Sequence, residues 1–325
     1  MNIIVEKHIR DCNKNITETT IKSYIVNLKK IIELLKITDI NIFYKDYQKI
    51  INFIKTEYSS SDNSQRNKLT SCNAIIKCLI NDNNKKDIEK ALEEYIKEIN
   101  ILREKIDKQL DTHIKSDKEK EGWLSKKEIK LISEKLLKKI PEEIDDLKDL
   151  SKLRDYVLFV FYQLLPSRND IALAKFYYND EIDMDNISKD KNINYIILKK
   201  DNKTVLYVMN NYKTSKKYKS QTLELGNSLY DILVDYKEKM KPFNNDNWFL
   251  LSNAGRNISK TSLSIIYSKL GNVIGKKTSI RTNRHIIISQ HIDIEKMDNL
   301  ARHMGHDIAT AIKIYAKKKK LIILK

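Results

Sequence analysis

The chain has 325 residues, of which 41% are hydrophobic, so two domains with packed cores are expected and a disordered chain is excluded. Glycine and proline are scarce, at 6 and 3 residues, which favours long helices over a turn-rich all-β fold. Basic residues exceed acidic residues by 61 − 44 = 17, which favours a polyanionic partner, most often nucleic acid. Lysine-rich, AT-biased coding with solvated helix faces is the alternative explanation of this charge.

The sequence contains no signal for a membrane and none for a metal. No apolar run approaches the ~18 residues of a membrane span, and the start MNIIVEKHIRDCNKN is too polar for a signal peptide. We therefore expect a soluble, intracellular protein with no membrane partner. Cys12, Cys72 and Cys78 lack metal-ligand spacing, and Cys72 and Cys78 are predicted to pack as small buried groups of a helix. We expect no disulfide, no zinc and no cofactor.

The first 110 residues predict a compact helical domain. Apolar residues recur at helical spacing in ETTIKSYIVNLKKIIELLK, residues 18–36, and Thr17 or Thr19 can cap the start of this helix. Further helices are predicted at 44–58, 65–80 and about 87–110. No residue of this domain is a candidate for chemistry.

Residues 111–122, DTHIKSDKEKEG, contain almost no apolar side chain and predict a linker. A second domain then covers 123–325, with a C-terminal tail from about 317. Its first helix begins at Ser125, where Glu128 three residues later completes a capping-box pattern. A second helix at 149–165 is apolar on most sides and is expected to lie in the core.

Arg168 lies just past the end of this apolar helix. It is either a surface residue that caps the helix or a functional group that is held rigidly. Residues 193–225 then change to a two-residue period and predict three short antiparallel strands. The turn before the third strand carries Lys213, Lys216, Lys217 and Lys219. This lysine cluster either keeps the surface soluble or contacts a phosphate. Two helices, about 226–241 and 260–275, follow with the connection WFLLS between them. The predicted fold is mainly α with a small antiparallel β-sheet, of the α+β class.

The stretch from Ser279 to Ala316 holds the strongest chemical signal. Arg281 and Arg284 are three residues apart, so on a helix they share a face, and guanidinium groups bind phosphate through paired N–H bonds. Gly305-His306-Asp307 predicts a turn with Asp307 capping the last helix, and Tyr315 lies two turns along it. A phenol with a pKa near ~10 is a poor nucleophile unless cations hold a phosphate before it. The acidic run 178–185 lacks regular spacing for metal ions and is interpreted as a loop.

The order of these residues resembles the catalytic domain of the tyrosine recombinases, the phage-integrase family. LARHMGHDIATAIKIYAK is the most specific piece, and the resemblance covers about 160–318. It implies that Arg168 and Arg284 are the two catalytic arginines, His306 the histidine of the Gly-His box, and Tyr315 the nucleophile. Lys213 is the favoured hairpin lysine acting as general acid, with Lys216 and Lys217 as alternatives. Residues 1–110 are similar in size and pattern to the family's core-binding domain.

Two positions depart from the family's pattern. Arg281 stands where the family usually has the histidine of H-x-x-R, so a cation is kept but a proton-exchanging imidazole is lost. The related type IB topoisomerases often have a basic residue there. The acidic residue common three positions after the first arginine is Ile171 here, and Asp170 either orients Arg168 in its place or belongs to the loop.

The resemblance implies a site-specific recombinase, or integrase, of a mobile element or virus that cuts and rejoins DNA through a 3′-phosphotyrosyl intermediate. Arg168, Arg281 and Arg284 would hold the phosphate. The implied partner is double-stranded DNA, bound by a homotetramer, with a monomer or weak dimer when free. A type IB topoisomerase and a DNA-binding protein that has lost catalysis are the alternatives.

Overall fold

The structure, a computed structural model, describes residues 2–12, 15–187, 189–290 and 307–316. The chain divides into two compact units, residues 1–112 and 113–325. Within the described residues the fold is mainly α-helical with one small sheet, which confirms the predicted class. None of the described helices combines the length and the apolar character that crossing a membrane would require.

The first unit is helical in all of its regular structure that is described. Its helices are α1 (Asn2–Cys12), α2 (Glu18–Leu35), α3 (Ile42–Lys45), α4 (Tyr47–Glu57), α5 (Asp62–Lys77) and α6 (Lys85–Asp111). Thr17 is the N-cap of α2, and its hydroxyl accepts from the Thr20 amide at 3.3 Å. The four predicted helices correspond to α2, α4, α5 and α6. Helix α1 was not predicted because its sequence is mostly polar, yet Val5 and Ile9, four residues apart on one face, are fully buried.

The core of the first unit joins α6 to the short helix α3. Tyr95 of α6 is fully buried, and its hydroxyl donates to the Phe43 carbonyl at 3.1 Å. Cys72 on α5 is also fully buried, and this burial raises the pKa of its thiol. The prediction that Cys72 packs as a small apolar group is confirmed, whereas Cys78 is only half-buried.

Part of the predicted linker is folded. Ser116 caps a short helix, α7 (Asp117–Glu121): its hydroxyl accepts from the Glu119 amide at 3.3 Å, and the Glu119 carboxylate accepts from the Ser116 amide at 2.8 Å. This capping box was present in the sequence, but the lack of apolar residues around it indicated a linker instead. Residues 113–122 belong to the second compact unit.

The second unit surrounds the buried helix α9. In chain order its remaining described elements are α8 (Lys126–Leu137), α9 (Leu147–Leu164), β1 (Ala174–Tyr178), α10 (Met184–Ile187), β2 (Asn194–Lys199), β3 (Thr204–Met209), α11 (Ser215–Tyr218), β4 (Gln221–Glu224), α12 (Tyr230–Met240), α13 (Lys260–Leu270), α14 (Ile280–Gln290) and α15 (Ile308–Tyr315). The predicted capping box of α8 is confirmed, because Ser125 Oγ accepts from the Glu128 amide at 3.3 Å and Glu128 accepts from the Ser125 amide at 2.8 Å. A hydrogen bond from Lys276 is the main cause that lowers the pKa of Glu128 to about 2.

The sheet has the strand order β1-β2-β3-β4. β2, β3 and β4 pair antiparallel, as predicted, with Tyr207 opposite both Ile196 and Leu223. β1 pairs parallel to β2, with Phe176 opposite Ile196, so the sheet is mixed. The sequence did not indicate β1 because its five residues alternate only weakly in polarity. Its connection to β2 runs through the predicted acidic loop, where 184–187 form the short helix α10.

Gly271 sets the turn that leads from α13 to α14. A Cβ at this position would lie 2.6 Å from Thr278 Cγ2 and closer still to the Lys276 carbonyl oxygen, both far inside van der Waals contact. We expect Gly271→Ala to destabilise the chain by about 1–3 kcal/mol, because the buried turn must move. Chemical denaturation measures this loss.

The matched control is Gly226→Ala. Gly226 has φ +67° but no atom within 4 Å of an added Cβ, so only backbone strain is expected there, on the order of 1 kcal/mol. If Gly271→Ala lowers the free energy of unfolding by no more than Gly226→Ala does, the turn at Gly271 can shift to accept a methyl group.

Candidate active site

Helix α14 and helix α15 bring the predicted second arginine and the predicted nucleophile together. The guanidinium carbon of Arg284 lies 4.3 Å from the centroid of the Tyr315 ring. Both residues are buried, with 5% and 6% of their surface exposed. A desolvated cation over an aromatic face is attracted to the ring by about 2 kcal/mol. The predicted second arginine and the predicted nucleophile therefore pack directly against each other.

Helix α14 is held on the core helix α9 by side-chain hydrogen bonds. Asn283, which precedes Arg284, donates to the Tyr162 carbonyl at 2.7 Å and accepts from Gln163 Nε2 at 3.1 Å. At the start of α14, Ser279 Oγ accepts from the Thr282 amide at 2.9 Å. These contacts fix the turn of helix from which Arg284 extends.

Arg168 lies near Arg284, although more than a hundred residues separate them in the chain. Burial lowers the pKa of Arg284 to about 10; the Tyr315 ring opposes this shift, and the charge of Arg168 adds to it. The guanidinium stays protonated at neutral pH. Two guanidinium groups brought close together repel each other, which a bound phosphate would relieve.

The backbone at Arg168 is held by two hydroxyls. Tyr162 donates to the Arg168 carbonyl at 3.0 Å and Ser167 donates to it at 3.1 Å. Tyr162 is fully buried, and burial raises the pKa of its phenol well above the ordinary value. Arg168 itself is half-buried at the start of a 3-10 turn, Asn169–Leu173. Of the two alternatives for Arg168, this arrangement favours the rigidly held group.

Asp170 was predicted either to orient Arg168 or to belong to a loop. It lies in the 3-10 turn, 7% exposed, and its carboxylate pairs with the ammonium of Lys260. Its main-chain carbonyl accepts from Asn194 Nδ2 at 3.1 Å. Asp170 therefore ties the turn after Arg168 to α13 and to the sheet.

Lys213 lies exposed in the connection between β3 and β4. The neighbouring Tyr212 is buried, and its hydroxyl donates to the Lys219 carbonyl at 2.8 Å, which closes this connection. Burial raises the pKa of Tyr212, and the charge of Arg168 acts against that rise, so the connection lies near Arg168.

Lys217, an alternative general acid, lies towards the start of α15. Its pKa is raised mainly by a hydrogen bond with Tyr218 and, more weakly, by the carboxylate of Asp307. Asp307 caps α15 as predicted: it accepts from the Thr310 amide at 2.8 Å. This bond is the first cause of the lowered pKa of Asp307, and Lys217 is a smaller one.

Arg281 is exposed, unlike its neighbour Arg284. Its Nε donates to Nε2 of His285 at 3.4 Å, one turn further along α14. His306 lies outside the described residues, as do the rest of the Gly-His box and the tail from 317.

His285 belongs to this site and was not predicted. It is fully buried, and its ring packs edge-on against the Tyr315 ring with 5.1 Å between the two ring centroids. Its Nδ1 lies 3.2 Å from the Tyr315 carbonyl oxygen. Its Nε2 lies 3.4 Å from a carboxylate oxygen of Glu119 in α7. The only signal in the sequence was a titratable residue directly after Arg284, at the start of the apolar run HIII.

Across the described ranges, no three histidine, cysteine, aspartate or glutamate side chains gather as metal ligands would.

No protein-family model and no curated protein matches this sequence. The solved structures that are similar to it include two recombinases. The crystal structure of XerA recombinase is 14% identical, with a TM-score of 0.43 over 98% of this chain and 94% of that chain. XerH site-specific recombinase bound to its difH substrate, in a pre-cleavage complex, is 13% identical, with a TM-score of 0.49 over 98% of this chain and 92% of that chain. Because the identities and scores are low, the function proposed below rests on this chain's own residues.

Proposed function

We propose that this chain is a site-specific DNA recombinase that cuts and rejoins DNA through a 3′-phosphotyrosyl intermediate on Tyr315. The observation that carries the proposal is the contact between Arg284 and Tyr315, in which the guanidinium carbon lies 4.3 Å from the ring centroid. Arg168 is close enough for its charge to act on Arg284. A nucleophile beside two cations in a desolvated site is suited to attack on a phosphodiester.

In the proposed reaction the Tyr315 phenol oxygen attacks a DNA phosphorus atom. The new O–P bond forms as the bond to the 5′ oxygen of the next nucleotide breaks, and the phenol proton leaves to a base. The 5′ oxygen takes a proton from a general acid, and one phosphodiester is exchanged for another, so no ATP is needed. Attack by a 5′ hydroxyl of a second strand reverses these steps and completes the exchange.

The other residues of the proposed site each have a role in these reaction steps. Arg168, Arg281 and Arg284 bind the non-bridging oxygens, whose charge grows in the transition state. Lys213 donates the proton to the leaving 5′ oxygen, with Lys216 and Lys217 as alternatives on the same connection, and His306 assists the proton transfers. The decisive experiment is covalent trapping of DNA on Tyr315 with a nicked duplex.

Binding to duplex DNA is expected to weaken steeply with salt. The net charge is +17, and four cations are proposed to contact phosphate at the site alone. Each neutralised phosphate contributes a slope of about −0.9 to log K against log salt, so a slope of about −3 to −4 or steeper is expected. Fluorescence anisotropy of a labelled duplex over a salt series measures it.

Arg281→Ala is the internal reference for this measurement. Removing one exposed phosphate contact is expected to make the slope shallower by about one unit. An affinity that hardly changes with salt would contradict the proposed phosphate-binding surface.

A type IB topoisomerase is the second candidate, and Arg281 is the residue that favours it. Such an enzyme uses the same covalent link but relaxes supercoiled DNA as a monomer and without a defined site. A plasmid relaxation assay separates the two functions. Rapid relaxation of plasmids lacking any preferred site indicates a topoisomerase, whereas strand exchange between two copies of one sequence indicates a recombinase.

A further inference from the structure

The C-terminal end of α15, which carries Tyr315, is capped by two histidines. The last carbonyls of a helix have no partner within the helix and need one elsewhere. Here the Tyr315 carbonyl oxygen lies 3.2 Å from His285 Nδ1, and the next carbonyl, of Ala316, lies 2.9 Å from His113 Nδ1. Ser289 Oγ donates to the Tyr315 carbonyl as well, at 3.4 Å.

The chemistry of these contacts fixes one proton on each ring. A carbonyl oxygen only accepts, so Nδ1 of both histidines must carry hydrogen. Nε2 of His285 faces a donor, Arg281 Nε, and an acceptor, Glu119 Oε1, both at 3.4 Å. A neutral ring accepts from Arg281 and a protonated ring donates to Glu119, so the bond to Tyr315 is kept in both states.

His113 reaches Ala316 from the opposite end of the second unit's sequence. It follows Thr112, the C-cap of α6, and has φ +54°, a left-handed conformation that costs most residues about 1 kcal/mol or more but that histidine adopts more often than most. Three residues later the α7 capping box begins, and Glu119 of that box faces His285. We name residues 113–121 the connector.

We propose that His113 is a positioning residue for Tyr315, through which the connector holds the end of α15 so that the phenol faces the phosphate site. This inference rests on the proposed function. The bond that His113 makes is to the main-chain carbonyl of Ala316 and not to a group proposed to bind phosphate. Its loss should therefore change the rate of covalent attack and not the affinity for DNA. A displacement of the nucleophile by about 1 Å can cost on the order of a hundredfold in rate.

The test compares His113→Gly with His113→Asn. Glycine adopts the left-handed backbone but has no donor, whereas asparagine tolerates that backbone and places an amide N–H near the position of Nδ1. We expect His113→Gly to slow formation of the covalent complex at saturating nicked duplex by about tenfold to a hundredfold. His113→Asn should recover most of the rate, and the Kd of both variants for the duplex should match that of the wild type.

His8→Ala is the matched control. His8 makes the same kind of bond, with Nδ1 at 2.8 Å from the Ile4 carbonyl, but within α1 of the first unit. Its replacement should leave the cleavage rate unchanged. Equal rates for His113→Gly and the wild type, or a loss that His113→Asn does not recover, would overturn the positioning role.

Hydrogen exchange distinguishes failure of this inference from failure of the proposed function. Amides of residues 311–316 should exchange faster in His113→Gly than in His113→Asn or the wild type, whether or not the chain cleaves DNA. Unchanged exchange overturns the capping role of His113. If the wild type forms no covalent complex while exchange responds as expected, the proposed function is wrong and His113 anchors α15 without a catalytic consequence, which also overturns the positioning role.

Discussion

Tyr315→Phe is expected to leave no covalent protein–DNA species on a nicked suicide duplex. Only the phenol oxygen is removed, so the ring keeps its place against Arg284 and in the small cluster with Ile288 and Ala311. Folding and DNA affinity should therefore persist while the bond-forming atom is missing. We expect a loss on the order of 10⁴-fold or more in the rate of adduct formation, read on a denaturing gel.

Tyr156→Phe is the control for this experiment. Tyr156 is a half-buried tyrosine of α9 in the same unit, and its hydroxyl is not part of the proposed site. It should form the adduct at the wild-type rate. An adduct that persists in Tyr315→Phe would mean that another of the 17 tyrosines is the nucleophile. No adduct in the wild type, with DNA still bound, would leave the alternative of a DNA-binding protein without catalysis.

Arg284→Met is expected to separate stability from activity. Arg284 is a cation with 5% of its surface exposed, and burial already lowers its pKa to about 10. Burying a charge costs free energy unless it is well paired, so replacing Arg284 by an apolar side chain of similar volume gains back that desolvation cost. Lost attraction to the Tyr315 ring offsets part of that gain, so we expect unchanged or slightly higher stability.

The same substitution should abolish most of the chemistry. Loss of one preorganised donor to developing charge costs about 10²–10³ in rate. Arg284→Lys keeps the charge but not the two-pronged N–H geometry, and we expect it to recover only part of the rate. Thermal unfolding and adduct formation are measured on the same samples. A destabilised Arg284→Met variant, or one that cleaves normally, would contradict a buried phosphate-binding role.

Features set by near neighbours in the chain were predictable from sequence. Helix caps depend on residues three apart, and the caps at Thr17, Ser125 and Asp307 were recognised for that reason. The antiparallel strands β2 to β4 were recognised from their alternation and turns. Arg284 and Tyr315 were chosen from the order and spacing of a motif, and the structure brings them together.

Features set by distant contacts were not predictable from the same signals. Val5 and Ile9 bury α1 only because other helices of the first unit surround them. Strand β1 forms because it pairs with the open edge of β2. The weak alternation of polar and apolar residues in β1 did not indicate this pairing. His285 contacts Tyr315 because α14 packs on α15, and Glu119 reaches the same imidazole from α7, a segment far away in the sequence.

The full burial of Cys72 has a practical consequence. All three cysteines lie within residues 1–112, and residues 113–325 contain none. Because Cys12 is exposed and Cys78 is half-buried, Cys72 is the thiol that a labelling reagent reaches only when the helical core opens. The kinetics of its alkylation thus give an opening free energy for the first unit alone, a quantity that whole-chain denaturation blends with the unfolding of the second.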